Sequence, residues 1–95
     1  MTFEWDEKKN KMNQEKHQIS FEDALYVFAD PFAITRPDVY DKENRQQILG
    51  QINGVLMVLV VYTVRNEEPD ETIRIISARQ ATQAERRLYE EGNWF

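Results

Sequence analysis

The stretch that decides the fold is residues 43–79, ENRQQILGQINGVLMVLVVYTVRNEEPDETIRIISAR. Its β-branched and apolar runs are typical of strands. The Asn53-Gly54 pair is the strongest short signal for a hairpin turn of type I′, and Pro69 with its acidic neighbours predicts a second turn. We therefore predict three antiparallel strands, at residues 43–52, 55–65 and 72–78, with the second strand in the middle.

Helices are predicted on both sides of this meander. Asp6 is placed to cap a first helix that ends near Lys16, and Ser20 to cap a second helix whose apolar stripe begins at Phe21. Asp30 precedes a proline and should end that second helix. The sequence predicts a short extended piece at 32–35 and an edge strand at 3–5. A capping box at 82–85 opens a C-terminal helix that Gly92 would stop.

These elements indicate an α+β fold with a small antiparallel sheet, two N-terminal helices and a C-terminal helix. The 95 residues predict one domain, 1–95. The chain has no cysteine, which fits a reducing cytosol, and a single histidine, His17, leaves little scope for a metal site. We expect no cofactor, and the longest apolar run is too short to span a membrane.

The charge is distributed unevenly along the chain. The net charge of −5 argues against nucleic-acid binding when it is taken alone. However, residues 45–65 contain two arginines and no acid, and residues 73–84 repeat this pattern. The strands that carry Arg45, Arg65, Arg74 and Arg79 therefore form a locally basic sheet in an acidic protein.

The strand register decides which of these arginines lie together. If Ile52 pairs with Val55, Arg45 faces Tyr62; if Arg65 pairs with Ile73, Val64 faces Arg74. Alternation then groups Arg45 and Arg74 with Glu43 and Tyr62 on one face. It leaves Arg65 and Arg79 on the other face, about 20 Å apart at ~3.3 Å per residue. A single β-bulge would reverse either assignment.

Such residues suit RNA cleavage by attack of a 2′-hydroxyl. This reaction needs a base, an acid and cations that hold the phosphate, and it requires no metal. Arginine binds phosphate through two parallel hydrogen bonds, and His17 or Glu43 could transfer protons. Each residue also has an ordinary structural role. A strand arginine is commonly a cross-strand partner, Glu43 and Arg45 could form a surface ion pair, and His17 could cap a helix.

A series of short motifs runs along nearly the whole chain. The first half reads Phe3-x-Trp5-Asp6-x-x-Lys9, Asn13, Lys16-His17, Ile19-Ser20-Phe21-Glu22-x-Ala24 and Val27-Phe28-x-Asp30-Pro31. The second half reads Glu43-x-Arg45, Ile48, Gly50, Val60-Val61-Tyr62-Thr63-x-Arg65, Ile73-Arg74-Ile75-Ile76-Ser77-Ala78-Arg79, Ala81, Glu85-Arg86 and Tyr89. In this order and spacing, the chain resembles the BrnT family of toxins from bacterial type II toxin–antitoxin pairs.

The resemblance implies a RelE-like fold and a cytoplasmic, metal-independent endoribonuclease that inhibits translation. It also implies an antitoxin of the BrnA type, whose ribbon-helix-helix domain binds promoter DNA, so that DNA is reached only through the complex. A toxin homodimer within a heterotetramer is compatible with it. The residues it implicates are Arg65, Arg79, Glu43 and His17 for catalysis, and Lys9 and Tyr89 for RNA binding. The locally basic sheet adds Arg45 and Arg74 as RNA-binding candidates.

Two features depart from the family pattern and keep alternatives open. The family usually has glycine after the histidine, where this chain has Gln18. A left-handed glutamine there would cost about 1 kcal/mol and could shift His17. The acidic net charge is the second departure. A non-catalytic module that only binds an antitoxin is therefore the alternative, and a structural domain with no nucleic-acid role remains if the arginines pair with loop acids.

Overall fold

The computed structural model describes residues 1–39, 44–67 and 70–93. The strands are β1 (Thr2–Glu4), β2 (Ile34–Pro37), β3 (Arg45–Ile52), β4 (Leu56–Glu67) and β5 (Asp70–Gln80). The helices are α1 (Glu7–His17), α2 (Phe21–Ala24), which continues as a 3₁₀ helix (Leu25–Ala29), and α3 (Gln83–Glu91). The predicted α+β class, with two N-terminal helices and one C-terminal helix, is confirmed.

The strands form one sheet in the order β1-β5-β4-β3-β2. The predicted meander is present as β3, β4 and β5, and β2 adds an antiparallel edge strand beside β3. β1 runs parallel to β5, so the sheet is mixed rather than purely antiparallel. β1 and β2 lie at opposite edges of the sheet, and α1 and α2 connect them across it.

Two apolar clusters lie on opposite faces of this sheet. The larger cluster joins the sheet to α2 and its 3₁₀ extension, and it consists of Ile19, Phe21, Ala24, Val27, Ile48, Ile52, Val58, Val60, Tyr62, Ile73, Ile75 and Ala78. The smaller cluster contains Leu49, Met57 and Leu59, against which Leu88 and Tyr89 of α3 pack. Even-numbered residues of β4 therefore face α2, and odd-numbered residues face α3.

The register of the first hairpin differs from the prediction by one residue. Asn53 and Gly54 adopt φ values of 54° and 68°, and the Val55 amide donates to the Ile52 carbonyl at 3.1 Å, as a type I′ turn requires. Ile52 nevertheless pairs with Leu56, and Val55 stays outside the ladder. The predicted pairing of Ile52 with Val55 is wrong, because the loop between the paired residues contains Asn53, Gly54 and Val55, one residue more than the two at the centre of the turn.

A β-bulge shifts the second register at the middle of β5. Val61 pairs with Ser77, as the predicted register requires, but Tyr62 pairs with Ile75, so that Ile76 is the extra residue. Beyond this bulge, Thr63 rather than Val64 lies opposite Arg74. The predicted pairing of Val64 with Arg74 is therefore wrong.

These two shifts bring all four strand arginines to one face. Arg45 and Arg74 both pair with Thr63, an odd-numbered residue of β4, whose side chain lies on the same face as that of Arg65. Arg79 pairs with Leu59 and also lies on the α3 face. The predicted division of the arginines between two faces is wrong. Tyr62 lies on the opposite face, where its buried ring packs edge-on against Phe28.

Helix α1 has no apolar stripe, and two buried asparagines attach it to the rest of the chain. Asn10 donates to Glu22 Oε1 at 2.7 Å and accepts from the Phe21 amide at 2.8 Å. Asn13 donates to the Ile19 and Ala78 carbonyls at 3.0 and 2.8 Å and accepts from the Ala78 amide at 3.2 Å. The Asn13 amide thus occupies backbone groups of β5 beyond the stretch that β1 covers.

Gln18 ends α1 in the left-handed conformation that the sequence predicts. Its φ is 58°, and its amide donates to the Gln14 carbonyl at 2.9 Å. A residue with a Cβ pays for this conformation, which glycine adopts without strain. The backbone after His17 therefore follows the path that a glycine would give, and His17 remains the last residue of α1.

Candidate active site

Among the described residues, the sheet face towards α3 is covered over only part of its length. α3 packs on Leu49, Met57 and Leu59, whereas Val61 and Thr63 are half-buried and Arg65 is exposed. Four arginines from four strands belong to this uncovered part, which we call the arginine face: Arg36, Arg45, Arg65 and Arg74. A row across the sheet runs through Glu4, Arg74, Thr63 and Arg45, and the next row contains Arg65.

Glu4 lies between two arginines of this face. Its Oε1 atom is 3.2 Å from Nη1 of Arg65 and 3.7 Å from Nη1 of Arg74. The Arg65 side chain keeps 53% of its surface exposed and that of Arg74 keeps 35%. Ion pairs this exposed contribute about 0–1 kcal/mol each. Within the described ranges, one carboxylate is shared by these two guanidinium groups, so one positive charge stays uncompensated there.

Arg79 is held differently from the arginines of the face. Its two terminal nitrogens donate to the two carboxylate oxygens of Glu85 at 2.8 and 2.9 Å. This hydrogen bond from the guanidinium and the charge of Glu85 raise the pKa of Arg79 against the effect of burial. The pair ties the end of β5 to the start of α3, so a phosphate would have to share Arg79 with Glu85.

Glu85 also completes the predicted capping box of α3. Its side chain accepts from the Thr82 amide at 2.8 Å, and the Thr82 hydroxyl accepts from the Glu85 amide at 3.2 Å. Burial raises the pKa of the Glu85 carboxyl, but the hydrogen bonds from Arg79 and Thr82 outweigh it and leave that pKa below its usual value. The folded chain therefore favours the ionised form of Glu85.

This shift predicts an acid-sensitive contribution to stability. Because folding lowers the pKa of Glu85, its contribution is complete above about pH 4.5 and is lost as the pH falls through the folded pKa. We expect urea unfolding measured between pH 6 and pH 3 to show a smaller loss of stability for Glu85→Gln than for the unchanged chain. Glutamine keeps the capping box, and parallel pH profiles for the two proteins would contradict this prediction.

The hydroxyl of Tyr89 is hydrogen-bonded to another residue of the chain. Its hydroxyl donates to Oδ2 of Asp30 at 2.7 Å, and the Gln51 amide donates to the same oxygen at 2.8 Å. Burial, together with the hydrogen bond to Asp30 and its charge, raises the pKa of Tyr89 to about 12. Tyr89 is therefore neutral near pH 7, and it links α3 to the turn before β2.

A groove of about 510 Å³ lies between α1 and the bulged part of β5. Lys9, Lys16 and His17 line it from α1, and Ile76 and Ser77 line it from β5. Positions 9, 12, 13 and 16 share one helix face, which explains why the two lysines reach the same groove. His17 is half-buried there, while both lysines are exposed. The groove thus combines an imidazole with two cations and with one carboxylate, that of Glu15.

The groove adjoins the arginine face. Ser77 lines the groove and, through its pairing with Val61, occupies the row next to Arg74 on that face. Arg74 is three residues from Ser77 along β5, about 10 Å at ~3.3 Å per residue. Of the predicted residues, the structure therefore places Arg45, Arg65 and Arg74 on one face of the sheet, and Lys9 and His17 in the groove that adjoins this face. Arg79 and Tyr89 lie at α3, and Glu43 lies outside the described residues.

Two residues of this region were not predicted as site residues. Lys16 belongs to the motif series but was not selected, although its spacing from Lys9 places both on one helix face. Arg36 lies in a segment for which only a short extended piece and a polar loop were predicted. The available signal was the two-residue spacing of Ile34 and Arg36, which places both on one face of a strand. In the structure, Arg36 pairs with Gln47 across β2 and β3, and its Nε donates to the side-chain oxygen of Gln47 at 2.9 Å.

Neither a metal site nor a membrane span is found in the part of the chain that the structure describes. There, no group of three or more His, Cys, Asp or Glu side chains could hold a metal ion. Likewise, no helix in the described ranges is long and apolar enough to cross a membrane.

Comparison with known proteins agrees with the motifs and the fold. Residues 5–85 match the family model described as the ribonuclease toxin, BrnT, of a type II toxin–antitoxin system. The 1.1 Å crystal structure of the Brucella abortus ribonuclease toxin BrnT superposes with a TM-score of 0.67 and 30% identity, covering 87% of this chain and 99% of that one. No curated protein matches the chain. The chain belongs to the BrnT family of ribonuclease toxins of type II toxin–antitoxin systems.

Proposed function

We propose that the chain cleaves RNA without a metal ion, by attack of a 2′-hydroxyl on the adjacent phosphate. The observation that carries this proposal is the groove with Lys9, Lys16 and His17 beside the arginine face. A flexible RNA strand can lie across the arginines through its phosphates. Its scissile phosphate then reaches the groove, where protons can be transferred.

The reaction needs two proton transfers and charge stabilisation. A base removes the proton from the 2′-hydroxyl, and the oxygen attacks phosphorus to form a 2′,3′-cyclic phosphate. The bond to the 5′-oxygen breaks, and this oxygen receives a proton. We assign one proton transfer to His17, and Glu43 is the candidate for the other. Lys9 and Lys16 stabilise the negative charge on the phosphate oxygens.

The experiment is cleavage of a single-stranded RNA by the purified chain in EDTA, with the product ends analysed. We expect cleavage and 2′,3′-cyclic phosphate ends. The double variant Arg65→Ala/Arg74→Ala should cleave about 10–100-fold more slowly, because each phosphate contact contributes a charge-assisted hydrogen bond.

Arg87→Ala is a control for the loss of a positive charge outside the arginine face, since it removes one exposed arginine from α3. It should retain the activity of the unchanged chain. Cleavage that appears only when a divalent metal is added would overturn the proposed mechanism. Complete absence of cleavage, with a folded protein, would overturn the enzymatic activity itself.

We further propose that the partner is an antitoxin of the BrnA type, encoded next to this chain. The family is defined by type II toxin–antitoxin systems, in which a protein antitoxin neutralises the toxin. Induction of the chain in the cytoplasm should arrest growth, and co-expression of the neighbouring ribbon-helix-helix protein should restore it. Promoter DNA is contacted only through this complex.

A non-catalytic antitoxin-binding module is the second candidate function. The observations that favour it are the net charge of −5 and the occupation of Arg79 by Glu85. In that case the purified chain would bind the neighbouring antitoxin and leave RNA intact in the same cleavage experiment. The two candidates therefore differ in one measurement.

A further inference from the structure

We propose that Arg65 and Arg74 form one phosphate-binding subsite, and that the Glu4 carboxylate occupies it until an RNA phosphate displaces it. The proposal rests on the proposed function, because it assigns part of the arginine face to a single phosphate of the RNA strand. Glu4 itself contacts no substrate in this scheme and competes with it.

The first argument is the position of the carboxylate. Glu4 Oε1 lies 3.2 Å from Arg65 Nη1 and 3.7 Å from Arg74 Nη1, so both guanidinium groups converge on one oxygen. The two arginines come from neighbouring strands and from adjacent rows of the sheet. An anion held at this point is contacted from two directions, as phosphate groups commonly are by arginine pairs.

The second argument is that the carboxylate fits this place poorly. Glu4 Oε1 is buried, yet it accepts no hydrogen bond among the described residues. A buried carboxylate oxygen without aligned donors loses hydration and gains only the Coulomb attraction of the two cations. Both guanidinium groups lie beside the same carboxylate oxygen, whereas a phosphate diester between them could present a separate non-bridging oxygen to each.

The third argument is charge. Two arginines and one glutamate leave a net charge of +1, and removal of the carboxylate would leave +2. The acid therefore lowers the affinity of this subsite for phosphate in the free protein. The whole chain has a net charge of −5, so the sum of the side-chain charges on this short stretch of sheet decides whether RNA is attracted locally.

The test is binding of a fluorescently labelled single-stranded 2′-O-methyl RNA, which cannot be cleaved by 2′-hydroxyl attack. Fluorescence anisotropy in EDTA would give the dissociation constant at several salt concentrations. We expect Glu4→Gln to bind about three- to tenfold more tightly than the unchanged chain, because two exposed ion pairs, those with Arg65 and Arg74, no longer compete. The slope of log K against log salt should steepen by about 0.7, the value for one additional single-strand phosphate.

Two further variants separate the subsite from a general effect of charge. Glu90→Gln removes an exposed acid from α3 and should change the affinity less than Glu4→Gln. In an Arg65→Ala background, Glu4→Gln should give no more gain than Glu90→Gln. An equal gain from both glutamine variants, or weaker binding by Glu4→Gln, would overturn the proposal. Weaker binding would show that Glu4 positions the arginines for RNA.

Inorganic phosphate distinguishes the source of the ligand. If the subsite holds an RNA phosphate, inorganic phosphate should compete only at concentrations far above the dissociation constant of the oligonucleotide. Competition at comparable concentrations would assign the subsite to free phosphate and overturn the assignment to RNA. Because binding is measured without cleavage, these outcomes are independent of whether the chain proves to be a nuclease.

Discussion

Replacing His17 with alanine should slow RNA cleavage by about 10²–10⁴-fold, the range for loss of a general acid or base. His17 is the sole histidine of the chain and lies half-buried in the groove with Lys9 and Lys16. An imidazole ring carries one nitrogen that can accept a proton and one that can donate it. The measurement is the single-turnover rate on a single-stranded RNA in EDTA.

The control for this variant is Gln14→Ala, an exposed change on the same helix at a position outside the groove. It should cleave RNA at the rate of the unchanged chain. His17→Ala should still bind the 2′-O-methyl oligonucleotide with nearly unchanged affinity, since the arginines remain. A rate that falls only in proportion to binding would show that His17 binds RNA and transfers no proton.

Replacing Asn13 with alanine should lower the free energy of unfolding by about 2–4 kcal/mol, because buried groups lose their hydrogen-bond partner. The side chain is 8% exposed and serves the Ile19 carbonyl and both backbone groups of Ala78. Alanine leaves these groups buried and unpaired. The measurement is urea unfolding followed by circular dichroism.

The neighbouring change Gln14→Ala provides the matched control for stability as well. An exposed substitution that keeps the helix should stay within about 0.5 kcal/mol of the unchanged chain. A similarly small effect of Asn13→Ala would mean that water replaces its amide at β5. In that case α1 would be held mainly through Asn10, which contacts the start of α2.

Local signals in the sequence predict the structure correctly where the side chain of one residue fixes the backbone conformation, as at the start of a helix. Asp6, Ser20 and Thr82 accept hydrogen bonds at the starts of the three helices, as predicted. The apolar stripe of α2 was also correct, since Phe21 and Ala24 are fully buried. The motif series identified the family from one sequence, and the family model confirmed it.

The packing of α1 against the rest of the chain could not be predicted from its pattern of polar and apolar residues. The helix has almost no apolar residue to bury, and the pattern indicated only that a narrow face could pack. Its attachment depends on Asn10 and Asn13, whose partners are Phe21, Glu22, Ile19 and Ala78. Hydrogen bonds to distant backbone groups have no sequence period, so the buried role of an asparagine is visible only in the folded chain.

The sequence suggests some residues of the candidate site but neither Lys16, nor Arg36, nor the geometry of the site. The sequence alone placed Arg45, Arg65, Arg74 and Arg79 on or beside strands and located the turns between those strands, because composition and turn chemistry are local properties. The tertiary structure decided that Arg45, Arg65 and Arg74 share a face. Strand side chains alternate with a period of two, so one residue outside the ladder at Val55 and one bulged residue at Ile76 move whole strand segments to the other face.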